Sequence, residues 1–412
     1  MKKINDFFNL SKKLNLEIDS IIKFEKLVKQ YKSNVFLIGG NVRDLLLSKK
    51  ISSNPDLVTD MKICDLVKIL KKKKIKYSKV GIKYGSIVIF LGKNVIEVTS
   101  MRKDIETDGR WVKIKYTKSL YEDAQRRDFT VNSIYSDTSG NLFDPFNGYK
   151  DLKSKNIKFI GDPNQRIKED YLRILRFIRF TYLYTKNFNS EGFKNCIKNK
   201  NKIKKLSFER RLEEVKKIII LEKIEKTNEI KKIKPFLEVA LQINIDEKNF
   251  DQFCRVERKL KNICALRRLK YLFRKKKYEN IDFEKMKFSN IEKSRFLKKV
   301  KFIKYDLGEL IRMIFEIPRE NIIDQLNFEF TEKKISPHKF NKFINYLDNF
   351  KKKKFPLTGN DLKKLGIKDG IELGKILKKT TLWWYNQECK TTKRDCLNYV
   401  KKITKRQREA MT

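Results

Sequence analysis

The stretch Val35–Asp60, VFLIGGNVRDLLLSKKISSNPDLVTD, decides how the rest of the chain is read. It opens on four apolar residues, Val35–Ile38, a run suited to a short buried strand, and stops at Gly39 and Gly40. NVRDLLLS then starts a helix, with Arg43 in its first turn. A glycine pair between strand and helix lets backbone approach a phosphate closely, and amides at a helix start attract anions. Arg43 adds a planar fork of donors suited to phosphate oxygens. Taken alone, the arrangement reads first as a tight turn.

DLVTD, Asp56–Asp60, is the next strand candidate. On a strand, Asn54 and Asp56 point to one face. Two carboxylates so placed clamp a pair of metal ions about 3.5–4 Å apart for in-line phosphoryl transfer. Here the first position is an amide. Its oxygen can ligate Mg²⁺ but brings no charge, and Mg²⁺ prefers hard, anionic oxygens. Pro55 removes a ladder N–H, so this segment is expected at a sheet edge or bulge. It also pushes Asn54 toward extended geometry. A slipped register that puts Asp56 first puts Val58 second, still leaving one carboxylate. Asp60 lies about 13 Å farther along such a strand, too far to share a clamp. Glu97, in YGSIVIFLGKNVIEVTSMR, sits on an expected hairpin that turns at Gly92–Asn94. It is a candidate third ligand, and it reads equally as a charge on a solvent face.

Two further runs carry charge in a pattern. In RRDFTVN, Arg126–Asn132, Arg127 is placed to meet a triphosphate and Asp128 to accept from a ribose hydroxyl; the alternative is a surface salt-bridge cluster. In EDYLRILRFIRF, Glu169–Phe180, a helix would put Asp170, Arg173 and Arg176 on one face, with Arg179 at its edge. Leu172, Ile174, Leu175 and Ile178 then pack inward. Such an arginine stripe is costly to bury unless it meets anions or bases.

The 412 residues are enough for two to four domains with a substantial core. Lys and Arg number 98 against 51 Asp and Glu, a net charge of +47. A codon bias toward Lys, Asn and Ile accounts for part of that excess. The electrostatic consequence stands: such a chain favours a polyanion, nucleic acid before an anionic membrane surface. Six scattered cysteines without a CxxC pair, and one histidine, His338, point to reduced thiols and away from a zinc site. No apolar run approaches the roughly 18–20 residues of a membrane span. MKKINDFFNLSKKLNLEIDS has acidic residues and no cleavable apolar core, so neither a signal nor a transit peptide is expected, and the chain is read as cytoplasmic.

Residues 1–30 read as helix, 31 to about 155 as mixed strands and helices, and GNLFDPFNGYKDL as a loop. From Gln165 onward helical segments dominate, with Gly and Pro scarce until FPLTGNDLKKLGIKDG, 355–370. The lysine runs Lys71–Lys74 and Lys351–Lys354 read as solvated faces. The fold class is therefore α+β, an α/β head followed by an all-helical part.

GGNVRDLLL, EVTSMRKDIETDGR, EDAQRRDFTVNSIY, FDPFNGYKDL, FIGDPNQRIKEDYLRILRFIRF and LSFERRLEEVKKII occur in that order over residues 31–215. In this the chain resembles the class II tRNA nucleotidyltransferases and bacterial poly(A) polymerases, of the polymerase-β-like superfamily. PLTGNDLKKLGIKDGIELGKIL looks like the family's tail, while residues 220–350 match only in being helical and basic. The resemblance implies a mixed-sheet head at 1–155, a nucleotide-selecting neck at 156–220, and RNA-binding body and tail at 221–330 and 331–412. It implies metal at Asp56 and Asn54, nucleotide contacts at Gly40, Arg43 and Arg127, and a neck helix carrying Asp170, Arg173, Arg176 and Arg179 toward the nucleotide; the residues themselves add Gly39 and Asp128 as nucleotide contacts and Glu97 beside Asp56 as a catalytic candidate.

In the family, the Asp and first Arg of the neck helix act as a protein template. Cytosine and adenine each offer an amino donor beside a ring acceptor, which an Asp and an Arg match. Uracil and guanine present the reverse polarity, and a mispaired buried polar group costs roughly 1–3 kcal/mol. The implied reaction is addition of CMP and AMP from CTP and ATP, with Mg²⁺, to the 3′ acceptor end of tRNA, releasing pyrophosphate. No protein partner is implied. A single histidine leaves no room for the His-Asp phosphohydrolase domain some relatives carry. The alternatives are a poly(A) polymerase or A-adding enzyme, and a catalytically impaired tRNA-binding protein, because Asn54 replaces a carboxylate.

Overall fold

The run Val35–Ile38 forms strand β1, and Asp56–Thr59 forms β2 beside it. The protein is seen here as a computed structural model that describes residues 3–51, 54–92, 94–108, 111–260, 262–276, 281–350, 353–367 and 370–409. It divides into two compact units, Met1–Lys223 with Lys231–Asn244, and Ile224–Ile230 with Ile245–Thr412.

In the first unit, β3 (Tyr77–Ser78), β4 (Ser86–Leu91), β5 (Asn94–Ser100), β8 (Tyr135–Ser136) and β9 (Leu142–Phe143) join β1 and β2 in one sheet. Its order is β3-β4-β5-β2-β1-β8-β9. β2 and β5 run parallel, Asp56 opposite Glu97, and the other pairs are antiparallel. β6 (Arg102–Asp108) and β7 (Trp111–Tyr116) form a separate hairpin. The expected β4–β5 hairpin is present, with Leu91 opposite Asn94; Lys93 of its turn lies outside the described residues.

Strand alternation sorts the side chains. Leu37, Leu57, Ile87, Ile89, Ile96 and Val98 enter the main core with Phe24, Val28, Leu66 and Leu70 from the helices. Burying each such side chain stabilises by roughly 1.5–3 kcal/mol. Ile38 and Val58 point to the other face, where they meet Met101, Ala124 and Tyr135. Asp56, two residues from Val58, lies on that second face.

The helices correct several expectations. Residues 1–30 hold two helices, α1 (Phe7–Lys13) and α2 (Ile18–Lys29), separated where Asn15 takes a left-handed φ of 65°. α3 is Gly40–Leu46 and α4 is Ile63–Lys72. α5 is Leu120–Gln125. The segment read as a loop, GNLFDPFNGYKDL, contains β9 and α6 (Gly148–Lys153). A Cβ on Gly148 would stand 2.0 Å from the Thr130 carbonyl oxygen, so only glycine allows this approach. β2 is an interior strand, contrary to the edge or bulge expected from Pro55. Pro55 lies just before the ladder, where its missing N–H costs nothing, and its carbonyl accepts from Glu97 N at 2.9 Å.

After the sheet come α7 (Pro163–Glu169), α8 (Leu172–Tyr184), α9 (Ser190–Asn199) and α10 (Phe208–Ile219). Asp162 caps α7 by accepting from Gln165 N at 2.7 Å, with Pro163 in the first turn. The described part of the second unit is helical, its longest helices being Ile371–Asn386 and Lys393–Glu409. Its interior holds fully buried charge: Arg267 bonds Asp324 at 2.8 Å and Glu257 at 3.1 Å, and Arg268 bonds Glu257 at 2.6 Å and Glu225 at 3.0 Å. Lys71–Lys74 lie at the end of α4 and are largely exposed, while Lys351 and Lys352 fall outside the described residues.

Candidate active site

A cleft of about 680 Å³ opens in the first unit. Eight arginines and four carboxylates line it, together with Gly39, Gly40, Tyr84, Asn132 and Phe180. It brings together Gly39, Gly40, Arg43, Asp56, Arg127, Asp128, Asp170, Arg173, Arg176 and Arg179 of the expected site. Glu97 is exposed and sits beside Asp56 through the β2–β5 register. Asn54 is exposed and precedes the strand.

The β1–α3 turn shapes the cleft around Asp56. Gly39 takes φ 72°, a conformation L side chains rarely adopt, and a Cβ there would face Asp56 Oδ2 at 3.5 Å. Asn41 Oδ1 accepts from Asp56 N at 3.0 Å and so ties this turn to the head of β2. The Asp56 carboxyl is pushed up to about 6, by burial first and by the neighbouring Glu97 second, against the opposing pull of Arg127 and Arg43. Among the described residues no third His, Cys, Asp or Glu joins these two to make a metal cluster. Two neighbouring carboxylates whose repulsion raises one of them, near an amide at the strand mouth, are oxygen donors suited to a hard divalent ion, short of one charge.

The arginines are held by a network. Arg43 is buried, donates Nη1 to Asn132 Oδ1, and leaves its Nε without a protein acceptor. Asn132 Nδ2 donates to Asp128 at 2.7 Å, and Arg176 Nε donates to the other Asp128 oxygen at 2.6 Å. Burial alone would raise the Asp128 carboxyl; Arg176 and Asn132 outweigh it and hold it below the usual carboxylate range. Asp123, wholly buried, accepts from Arg126 at 2.7 Å, Arg127 at 2.9 Å and the Tyr135 hydroxyl at 2.7 Å. Three guanidiniums, Arg179, Arg43 and Arg176, approach the Phe180 ring at 4.5, 5.0 and 5.4 Å.

The neck differs from its expected form at one residue. Asp170 does not lie on the arginine helix. It ends α7 with extended backbone, φ −152°, and sits two residues ahead of α8. Its Oδ1 accepts from Leu172 N at 3.1 Å and its Oδ2 from Arg210 Nη2 at 2.9 Å. Arg173 is on α8 and donates to Glu169 at 2.7 Å and to the carbonyls of Arg166 and Arg126 at 2.8 and 3.1 Å. Arg179 pairs with Glu214 at 2.7 Å. α10 thus holds two cleft residues through Arg210 and Glu214, four residues apart.

Sequence reading missed Arg210, Glu214, Asn132, Arg102, Arg126, Tyr84 and Glu169 as site residues. The i, i+4 pair of opposite charges in FERRLEEV was the available signal for the first two.

Comparison with known proteins agrees with this geometry. The model of the poly A polymerase head domain matches residues 35–158. The mitochondrial CCA tRNA nucleotidyltransferase 1 of Mus musculus is 29% identical over 382 residues, covering 89% of this chain and 86% of that protein. The CCA-adding enzyme of Oceanobacillus iheyensis is 40% identical over 148 residues, 35% of this chain and 36% of that protein. The structure of the Bacillus stearothermophilus CCA-adding enzyme in complex with CTP superposes with a TM-score of 0.67 at 20% identity, covering 96% of this chain and 99% of that one. The Thermotoga maritima CCA-adding enzyme complexed with tRNA gives 0.63 at 18%, covering 98% and 99%. At that identity the structural likeness speaks for the fold.

Proposed function

We propose that this chain, which matches the poly A polymerase head domain over residues 35–158 and is similar along most of its length to CCA tRNA nucleotidyltransferases, transfers CMP and AMP from CTP and ATP to the tRNA 3′ end. The observation that carries this reading is Asp56, lining a cleft in which arginines outnumber carboxylates, with Glu97 paired beside it on the next strand.

The 3′ hydroxyl of the RNA attacks the α-phosphorus. The new O–P bond replaces the bond to the β-phosphate, and pyrophosphate leaves. Arg43 and Arg127, with the turn at Gly39 and Gly40, take the triphosphate, whose charge balances the arginines. Asp128 orients Arg176 and offers a remaining lone pair to the ribose. Asp56 helps draw the proton from the attacking hydroxyl. Asp56, Glu97 and Asn54 would hold Mg²⁺, which supplies positive charge for the α-phosphate and the leaving group. At the neck, Asp170 accepts from the amino group of cytosine or adenine while Arg173 donates to the ring nitrogen. Arg210 keeps the Asp170 carboxylate at hand. Residues 1–155 serve as head, 156–220 as neck, and 221–330 and 331–412 as body and tail that hold the RNA backbone, so binding weakens steeply with salt.

Asn54 favours a second reading, a protein that binds tRNA with impaired chemistry. Extension of tRNA lacking its 3′ end, with each labelled nucleotide, separates the two. We expect CMP and AMP incorporation, rising about tenfold or more in Asn54→Asp, roughly 1.4 kcal/mol in the barrier. No incorporation by either form supports the impaired protein, and ATP alone going into unrelated RNA supports a poly(A) polymerase.

We place the protein in the cytoplasm on its six free cysteines. No described helix is long and apolar enough to cross a membrane. Recovery of the protein with an organelle fraction would overturn that placement.

A further inference from the structure

Two aromatic rings line the cleft among the described residues, and they differ in availability. Phe180 is buried under three guanidiniums. Tyr84 is 41% exposed. It ends a single 3₁₀ turn, Ile82–Tyr84, between Gly81 and Gly85, which take φ of 90° and 70°. Gly85 O accepts from Ser100 N at 2.9 Å, so the turn is pinned to the end of β5. Val80 and Ile82, 77% and 36% exposed, stand on the same segment. Val80, Ile82 and Tyr84 thus place three exposed apolar side chains within five residues. Arg102 lies alongside: its Nη1 would be 3.8 Å from a Cβ on Gly85. A ring beside a guanidinium matches one nucleotide of an RNA strand, base on the ring and phosphate on the cation.

Sheet order says which nucleotide. Gly39, Gly40 and Arg43 leave β1, and Arg127, between α5 and β8, donates to the Tyr135 hydroxyl of β8, so the groups assigned to the triphosphate are on one side of β2. Glu97 on β5 and Tyr84 at the head of β4 are on the other side. In-line transfer needs the attacking hydroxyl opposite the leaving pyrophosphate. The incoming base is already assigned to Asp170 and Arg173, on the neck. We propose that Tyr84 stacks on the terminal base of the RNA primer and sets its 3′ hydroxyl against Asp56. It is a positioning residue for the primer rather than for CTP or ATP. The inference rests on the nucleotidyltransferase reading above.

The test uses the full chain and tRNA lacking its 3′ end, with KM measured separately for the RNA and for CTP. Tyr84→Ala and Tyr84→Leu are expected to raise the RNA KM about tenfold, the loss of one stacked base, and to leave the CTP KM within about twofold. Tyr84→Phe, which keeps the π face, restores the wild-type value. An equal rise in the CTP KM, full function in Tyr84→Leu, or failure of Tyr84→Phe to restore would overturn the inference. Because Tyr84 is on the surface, the thermal midpoints of all three variants should match wild type, and a shared loss of stability would also overturn it. A wild type that extends tRNA beside unchanged variants sinks this inference alone. A wild type that extends no RNA sinks the nucleotidyltransferase reading and this inference with it.

Discussion

Among the described residues, two gatherings of arginines differ in how their charge is neutralised. In the cleft of the first unit, eight arginines line a space shared with four carboxylates. In the interior of the second, Arg267, Arg268 and Arg295 meet Glu225, Glu257, Asp324 and Glu320. The second set is closed: Arg267 and Arg268 are wholly buried and the acids at least match them. Removing charge there leaves a partner stranded in low dielectric. The first set is open and carries surplus positive charge, which is what a triphosphate and an RNA end can neutralise. On the function proposed above, the same residue type would serve structure in the closed set and ligand binding in the open one, where Arg43 has no carboxylate partner among the described residues but Arg126, Arg127, Arg173, Arg176, Arg179 and Arg210 each keep one.

The comparison can be broken most directly at Asp56. Asp56→Ala should lower single-turnover incorporation by at least about 10³-fold, roughly 4 kcal/mol in the barrier, with tRNA affinity unchanged in a filter-binding titration. An equal loss of affinity would make Asp56 a binding rather than a chemical group. Next comes Arg267→Ala, expected to cost about 3 kcal/mol or more in urea unfolding. Activity of the fraction still folded should be preserved, and a stable but inactive variant would place the closed network in the function. The smallest effect is expected at Arg210. Arg210→Ala frees the Asp170 carboxylate, and discrimination of CTP over UTP, read as the ratio of kcat/KM values, should fall by about tenfold. A wild-type ratio would remove α10 from base selection.

Much of the head was legible because its signals are local. Val35–Ile38, the glycine pair and Arg43 form one continuous segment whose period changes from strand to helix, and the structure keeps that order. Arg173, Arg176 and Arg179 follow helical spacing and do share a helix. Asp170 was misplaced for an instructive reason: the charge pattern runs on across a break that no glycine or proline marks, because the turn is made by an ordinary residue in extended conformation. Pro55 misled in the other direction, since a proline one residue before a ladder is harmless in an interior strand. Asn132, Arg102 and Tyr84 were not legible, and Arg210 showed only as half of an i, i+4 charge pair. They come from four separate segments, and only the folded chain places them around one space.

Asn54 and Asp56 are unequal in what ties them to the fold. Asp56 is paired in register with Glu97, its amide is held by Asn41, and the Gly39 turn is shaped around it. Asn54 is exposed ahead of the strand. Replacing this exposed side chain by aspartate is expected to spare the packing of the sheet. Asparagine and aspartate codons differ at one base. On the metal-site reading proposed above, a second carboxylate is thus one point mutation away, and a genetic screen for faster tRNA maturation is expected to find it without disturbing the sheet.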